Sequence, residues 1–167
     1  MNGTILSALG ESDAAAFAII MQEQGAKDAI IGEMGTYSKK EAEEFIKSSA
    51  LKIPYERHYA IRHDGVLIGV CAIYNADFLA HSAEIGYIIG FRYRRRGFAK
   101  FAISMLIKIL AGEGFKLAIA HSKKENKYSN KALLACGFEE RLDEDGTMAF
   151  QRRLTEHDGI YNLTIQG

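Results

Sequence analysis

Tyr87-Ile88-Ile89-Gly90-Phe91-Arg92-Tyr93-Arg94-Arg95-Arg96-Gly97-Phe98-Ala99-Lys100 changes its hydrophobic period halfway. The residues up to Ile89 close a stretch, 83–89, that reads as a β-strand. From Gly97 to Ala111 the apolar positions recur at helical spacing on most sides. Lys100, Ser104 and Lys108 leave one polar stripe at i, i+4 and i+8, so this helix is expected to lie mostly buried against a sheet. Between strand and helix sits a basic turn. Amides at a helix start point outward unpaired, and the helix dipole adds partial positive charge there. Arginines strengthen any attraction for phosphate. Gly97 permits close backbone approach, and the small Ala99 keeps the first turn open. The segment therefore reads as a pyrophosphate cradle. Two other readings compete with it: a solvated basic helix start, and a nucleic-acid patch on which Phe91 and Tyr93 would stack.

The flanking chain supplies the sheet. Residues 4–9 read as a first strand, and Ser12 or Asp13 caps a helix over 14–24 that Gly25 ends. Residues 26–37 read as irregular. Ser38-Lys39-Lys40-Glu41 is a capping box that opens a second helix over 39–51. Residues 55–62 alternate, with Tyr55, Arg57, Tyr59 and Ile61 on one face. His63-Asp64-Gly65 is a hairpin turn, and 66–74 is a near-continuous apolar run, as expected of a central strand. Residues 75–81 turn back into strand 83–89. After the long helix, 115–120 reads as a buried strand and 127–135 as a helix. Asp143 to Gly146 forms a polar turn, and 147–154 with 160–165 form a closing hairpin. This order predicts one domain over residues 1–167: an α/β (α+β) mixed sheet with helices on its faces.

Composition narrows the function. In 167 residues, 21 Lys and Arg balance 21 Asp and Glu, which excludes a generally basic nucleic-acid coat. The 48% hydrophobic content excludes disorder. Cys71 and Cys136 lie in apolar surroundings without CxxC or zinc spacing, so they read as buried free thiols, and no metal site is expected. No signal peptide or membrane span is apparent, and the protein is expected in the cytoplasm. The Walker pattern and GxGxxG after the first strand are both absent, which argues against an NTPase or a dinucleotide enzyme.

Arg94-Arg95-Arg96-Gly97-Phe98-Ala99 resembles the (Q/R)xxGx(G/A) acyl-CoA loop of the GNAT superfamily of N-acetyltransferases. Ala83-Glu84-Ile85-Gly86-Tyr87-Ile88-Ile89 is similar to the strand before that loop. Asn126, Ser129 and Gly137-Phe138 are similar to the NxxS…GF element after the next strand. Asp13 near the first helix, and Asp64-Gly65 before Ile68-Gly69, resemble the branch of ribosomal-protein N-terminal and polyamine acetyltransferases. The resemblance spans about residues 4–155 and implies a GNAT-like, mostly antiparallel sheet whose central strands splay, with helices on both faces.

The resemblance also implies roles. Backbone groups of Tyr87, Ile88 and Ile89 would pair with the pantetheine arm of acetyl-CoA. The backbone of Arg94, Arg95, Arg96, Gly97, Phe98, Ala99 and Lys100 would hold its pyrophosphate, and Arg92 or Arg95 would reach the ribose phosphate. Asn126 and Ser129 would line the far side, although Asn126 also reads as a plain helix cap. The implied reaction moves the acetyl group from the thioester to an amine: a protein N-terminus, a polyamine or another small amine. Glu84 and His121 are the candidate bases. The competing readings are a structural carboxylate paired with arginine and an exposed loop histidine. Glu33, Glu41, Glu43 and Glu44 either attract a cationic acceptor or form a solvated helix face. Many members carry a Tyr general acid seven residues after the motif Asn. Here Leu133 stands there, and Tyr128 falls on another helix face. The departure keeps a non-catalytic acyl-CoA-binding module in play. A homodimer built through the closing hairpin is a further expectation. Acetyl-CoA is expected to raise the melting temperature; the absence of any shift would remove both the transferase and the binding-module readings.

Overall fold

The computed structural model describes residues 2–23, 37–49, 56–142 and 147–159. Its strands are β1 (Thr4–Ala8), β2 (Arg57–His63), β3 (Val66–Asp77), β4 (Ser82–Ile89), β5 (Leu117–Lys123), β6 (Glu139–Leu142) and β7 (Thr147–Arg153). Its helices are α1 (Ala14–Gln22), α2 (Lys39–Ser49), α3 (Phe98–Gly112) and α4 (Lys127–Ala135). The strands form one sheet in the order β1-β2-β3-β4-β5-β7-β6. Every neighbouring pair is antiparallel except β4 with β5. This is the mixed, mostly antiparallel sheet expected of the GNAT resemblance.

The apolar run of β3 has a direct cause, because both faces of the strand are covered. Ile68, Cys71 and Ile73 join a core beneath α3 with Ile85, Ile103, Leu106, Leu110, Leu133 and Phe150. Val70, Ala72 and Tyr74 join a second core with Phe17, Met21 and Ile46 beneath α1 and α2. Tyr59 and Ile61 share the α3 face as their alternation requires, while Tyr55 lies outside the described residues. Lys100 and Ser104 are exposed and Lys108 half-buried, so α3 turns its polar stripe outward. Cys71 and Cys136 are buried free thiols, and desolvation raises both.

Turn chemistry sets the connections. His63 pairs with Val66 across Asp64 (φ 49°) and Gly65 (φ 80°), a two-residue turn with both centres left-handed. The capping box is formed: the Ser38 amide donates to the Glu41 carboxylate at 2.7 Å, and the Glu41 amide donates to Ser38 Oγ at 3.3 Å. α3 and α4 end alike. The amides of Phe115 and Phe138 reach back to the carbonyls of Leu110 and Leu133, past left-handed Gly114 and Gly137.

Four expectations are corrected. Neither Ser12 nor Asp13 caps α1, because Asp13 turns its carboxylate back to the Gly10 amide (2.8 Å) and across to Arg62 (2.6 Å). α1 stops at Gln22, since Glu23 goes extended and its carboxylate accepts the Phe91 amide; Gly25 lies outside the described residues. β3 runs on to Asp77: Asn75 takes φ 48° and the register shifts between Tyr74 and Asp77, so the turn tightens to 78–81. There the Asp77 carboxylate accepts the Leu79 and Ala80 amides, each at 2.9 Å. β5 begins at Leu117 and runs to Lys123, because Phe115 is used in closing α3. β7 has β5 on one edge and, over Met148–Gln151, β6 on the other, whereas the expected second strand of the closing hairpin is 160–165. That segment, like the predicted turn at Asp143 to Gly146, most of the irregular stretch 26–37 and the end of the second predicted helix at 50–51, lies outside the described residues. No helix among the described residues is long and apolar enough to cross a membrane.

Gly69 is the tightest point between β3 and β4. A Cβ there would sit 2.4 Å from the Ile88 carbonyl oxygen, a backbone atom that cannot rotate away. Gly69→Ala should therefore cost about 1–3 kcal/mol of stability in urea unfolding, more than an overpacked surface position would.

Candidate active site: a slot between two parting strands

β4 and β5 pair only from Ser82↔Leu117 to Glu84↔Ile119. Beyond that point β4 stays on β3 as far as Ile89↔Gly69, and β5 stays on β7 as far as Lys123↔Thr147. The two strands therefore part in the middle of the sheet. Their facing edges keep backbone donors and acceptors that no strand satisfies. A cleft of about 840 Å³ runs from this fork to the basic turn before α3 and the first turns of α4.

The basic turn is braced from within. Arg94 donates from Nε to the Ile89 carbonyl at 2.9 Å, lies over the Phe91 ring, and stands 3.8 Å from the Glu23 carboxylate. Arg95 takes φ 67° and Gly97 φ 87°, and this curls the turn into the start of α3. The Arg95 guanidinium lies 4.2 Å over the Tyr128 ring and joins the turn to α4 across the cleft mouth. Arg94, Arg95, Gly97, Phe98, Ala99 and Lys100 all line the cleft, as do Tyr87, Ile88 and Ile89. Arg92 and Arg96 are exposed and do not line it.

On the far wall both readings of Asn126 hold at once. Its Oδ1 accepts the Ser129 amide at 3.2 Å as the N-cap of α4, and the residue lines the cleft. Ser129 Oγ lies 2.8 Å from the Tyr87 hydroxyl. Ser122, also on the lining, is buried with a hydroxyl that has no partner among the described residues. Leu133 is buried in the α3-side core.

The two candidate bases form a pair. His121 Nδ1 lies 3.1 Å from Glu84 Oε2, and Asn75 donates to Glu84 Oε1 at 3.0 Å. Tyr74, opposite Glu84 in the β3–β4 register, stands on the same face beside that carboxylate. Burial, with the carboxylate's charge adding to it, pushes the Tyr74 hydroxyl well up. Two expectations change. Glu84 is neither wrapped in apolar groups nor paired with arginine, because its neighbours at the fork are polar. His121 is not in a loop but within β5, where it lines the cleft. Alternation also sorts the faces. Ala83, Ile85, Ala118 and Ala120 belong to the α3-side core, so Glu84 and His121 project to the α1–α2 side. Tyr87 packs against the α3-side core, and Ser122 follows Ala120 on that side.

The acidic residues of α2 are used locally. Glu41 caps the helix, Glu43 pairs with Lys39 at 3.6 Å and Glu44 with Lys40 at 4.0 Å. This is the solvated helix face; Glu33 lies outside the described residues. Sequence reasoning missed Asn75 and Tyr74 at Glu84, the Tyr87 hydroxyl, and Ser122. Only Tyr74 carried a signal, being cross-strand from Glu84 once the hairpin register is drawn.

An acetyltransferase (GNAT) domain model matches residues 4–139, and the chain belongs to the GNAT acetyltransferase family. No curated protein sequence matches it. Solved structures share the fold at low identity. RimL, the ribosomal L7/L12 α-N-protein acetyltransferase in complex with coenzyme A, has a TM-score of 0.81 at 16% identity, with 93% of this chain and 97% of that chain covered. The Vibrio cholerae spermidine N-acetyltransferase in complex with CoA and spermine gives 0.81 at 19%, covering 94% and 99%. The microcin C7 self-immunity acetyltransferase MccE, with acetyl-CoA and AMP, gives 0.78 at 18%, covering 92% and 94%.

Burial pushes the Tyr87 hydroxyl up to about 12, against the opposing pull of its bond to Ser129. Above pH 10 the unfolded chain then releases a proton that the folded chain keeps. Stability from this group is full below pH 10 and lost as pH rises towards 12. Tyr87→Phe should reduce the alkaline loss by about 1–2 kcal/mol in urea unfolding followed across that range.

Proposed function

We propose that the chain acetylates a primary amine with acetyl-CoA at the fork of β4 and β5, the amine being a protein N-terminus, a polyamine or another small amine. One observation carries the reading: the hydrogen-bonded Glu84–His121 pair stands where the strands part, with His121 on the lining of the cleft. The cleft suits the cofactor on three counts. The strand edges present unsatisfied backbone, the turn before α3 concentrates arginine at a helix start, and a buried Ser122 hydroxyl lacks a partner there. The family and the CoA complexes of fold relatives support the same ligand.

When bound, acetyl-CoA supplies the acyl group that the amine attacks. Backbone of Tyr87, Ile88 and Ile89 holds the pantetheine arm along the open edge of β4. The turn from Arg94 to Lys100 holds the pyrophosphate, with Arg95 and Lys100 on the lining and Arg96 contributing backbone. Asn126 and Ser129 close the far side. An ammonium has no lone pair, so the acceptor must lose a proton before or during attack. His121 takes it, directly or through water, at Nε2. Glu84 accepts a hydrogen bond from Nδ1–H, which fixes the ring orientation and stabilises the imidazolium that forms. Unpaired strand amides stabilise charge on the thioester oxygen. With Leu133 at the usual Tyr position, the leaving thiolate takes its proton from the departing ammonium or from water.

Leu133 favours a second reading, a binding module without turnover. Thiol release with acetyl-CoA and a panel of amines separates the two. Turnover with at least one amine is expected, and tight binding with no turnover across the panel would leave the module reading. In the active pair, His121→Ala and Glu84→Gln should each lower kcat/KM about tenfold or more while acetyl-CoA affinity holds. The double variant should cost little beyond the worse single one, because the two residues act as one unit. If neither single variant slows the reaction, the base assignment is wrong.

A further inference from the structure

The last residues that pair across the fork are Glu84 and Ile119. Three positions further along each strand stand Tyr87 and Ser122, and both line the cleft. Ser122 follows Ala118 and Ala120 on the α3 side of the sheet. Met148, opposite Ser122 in the β5–β7 register, packs against the same core. His121, the residue before it, turns to the other face. Two consecutive residues of β5 therefore present an imidazole to one side of the slot and a hydroxyl to the other.

Ser122 is 4% exposed, and its hydroxyl has no hydrogen-bond partner among the described residues. Among those residues, no other on the cleft lining leaves a buried side-chain polar atom in that state. A dry hydroxyl costs stability, so one kept at a cleft wall points to a partner that arrives with the ligand. The polar groups nearby are already engaged. The Tyr87 and Ser129 hydroxyls lie 2.8 Å apart, and Asn126 Oδ1 accepts the Ser129 amide. Leu133 brings no donor to the lining.

The arm of a thioester offers three kinds of polar atom. Its amides lie along the strand edges, where backbone N–H and C=O groups in the sheet plane serve them. The thioester oxygen finds backbone amides on the same open edge. The sulfur has neither, and it leaves on the side away from the amine that His121 receives, which is the side of Ser122. Resting on the proposed acetyl transfer, we infer that Ser122 donates a hydrogen bond from its hydroxyl to the sulfur as the carbon–sulfur bond breaks. The carbon–nitrogen bond forms and the electron pair of the carbon–sulfur bond stays on sulfur. A serine hydroxyl is a far weaker acid than a thiol, so Ser122 shares its proton and keeps it. The proton that the thiol finally carries comes from the ammonium or from water. A hydrogen bond strengthens when its acceptor becomes an anion, so Ser122 stabilises the departing sulfur more than the intact thioester.

The test sets Ser122→Ala beside the wild-type full chain. Removing a partnerless hydroxyl should leave the urea midpoint of the ligand-free protein unchanged or raised, which separates the readouts below from folding. With an accepted amine, kcat should fall about tenfold or more while the KM for the amine stays within about twofold. Two binding readouts stand apart from turnover. Calorimetry at alkaline pH compares CoA with desulfo-CoA, in which hydrogen replaces the thiol. The wild type should prefer CoA by about tenfold, and the variant should lose that preference. Ultraviolet absorbance of the thiolate follows the titration of bound CoA, whose thiol should ionise about one pH unit higher in Ser122→Ala than in wild type. The inference is overturned if the bound thiol titrates at the same pH in both proteins, whatever happens to kcat. It is equally overturned if the variant weakens CoA and desulfo-CoA alike, which would assign the hydroxyl to the arm. A wild-type chain that binds CoA yet acetylates no amine would sink the proposed function and leave the two binding readouts to decide Ser122. If neither CoA nor desulfo-CoA binds the wild type, both readings fall.

Discussion

Everything at the candidate active site depends on β4 and β5 ceasing to pair after Glu84↔Ile119. A buried strand edge is costly when its amides and carbonyls are left dry. The fold tolerates this one because each strand keeps its other neighbour, β3 for β4 and β7 for β5. The sheet is therefore rigid on both sides of the gap, which can stay open without the strands collapsing together. A peptide-like arm laid into the gap would satisfy those groups much as a strand does. The fork also fixes the positions of Glu84 and His121, which come from the two strands at the point of divergence.

The second dependence is the basic turn. Its arginines could have been a bare cationic surface, open to any polyanion. Instead Arg94 is tied to the end of β4 and Arg95 to the ring of Tyr128. The left-handed residues Arg95 and Gly97 give the turn a fixed curl. The structure thus spends side-chain charge on shaping the turn and leaves backbone amides at the α3 start to face the cleft.

Much of this was legible in the residues. The change of period at Gly97 located α3, and the unbroken run in β3 marked a strand covered on both faces. Asp64-Gly65 and Gly137 announced their turns, because only certain residues accept positive φ cheaply. Strand limits were less legible. β3 overran its prediction because Asn75 adopts a left-handed conformation, and β5 slid by two because Phe115 serves the end of α3. Local patterns carry no record of such tertiary use. At the site, Glu84 and His121 were each visible as titratable groups in odd places. Their union was not, since 37 positions separate them and only the parallel register brings them together. The partnerless Ser122 hydroxyl has no sequence signal at all, because a serine among apolar residues looks the same whether or not a ligand awaits it.

The alternation of side chains across the fork has a consequence for traffic. Glu84 and His121 project to the α1–α2 face, while Tyr87, Ser122 and Ser129 gather on the other, beside α4. In the proposed reaction the amine and the thioester would approach through different doors and meet only in the plane of the sheet. Neither would have to leave before the other arrives. The acyl group can then pass directly between two molecules held at once, with no protein nucleophile as a stop along the way. The thiols fit that picture: Cys71 is sealed in the core, and Cys136 is buried and does not line the slot.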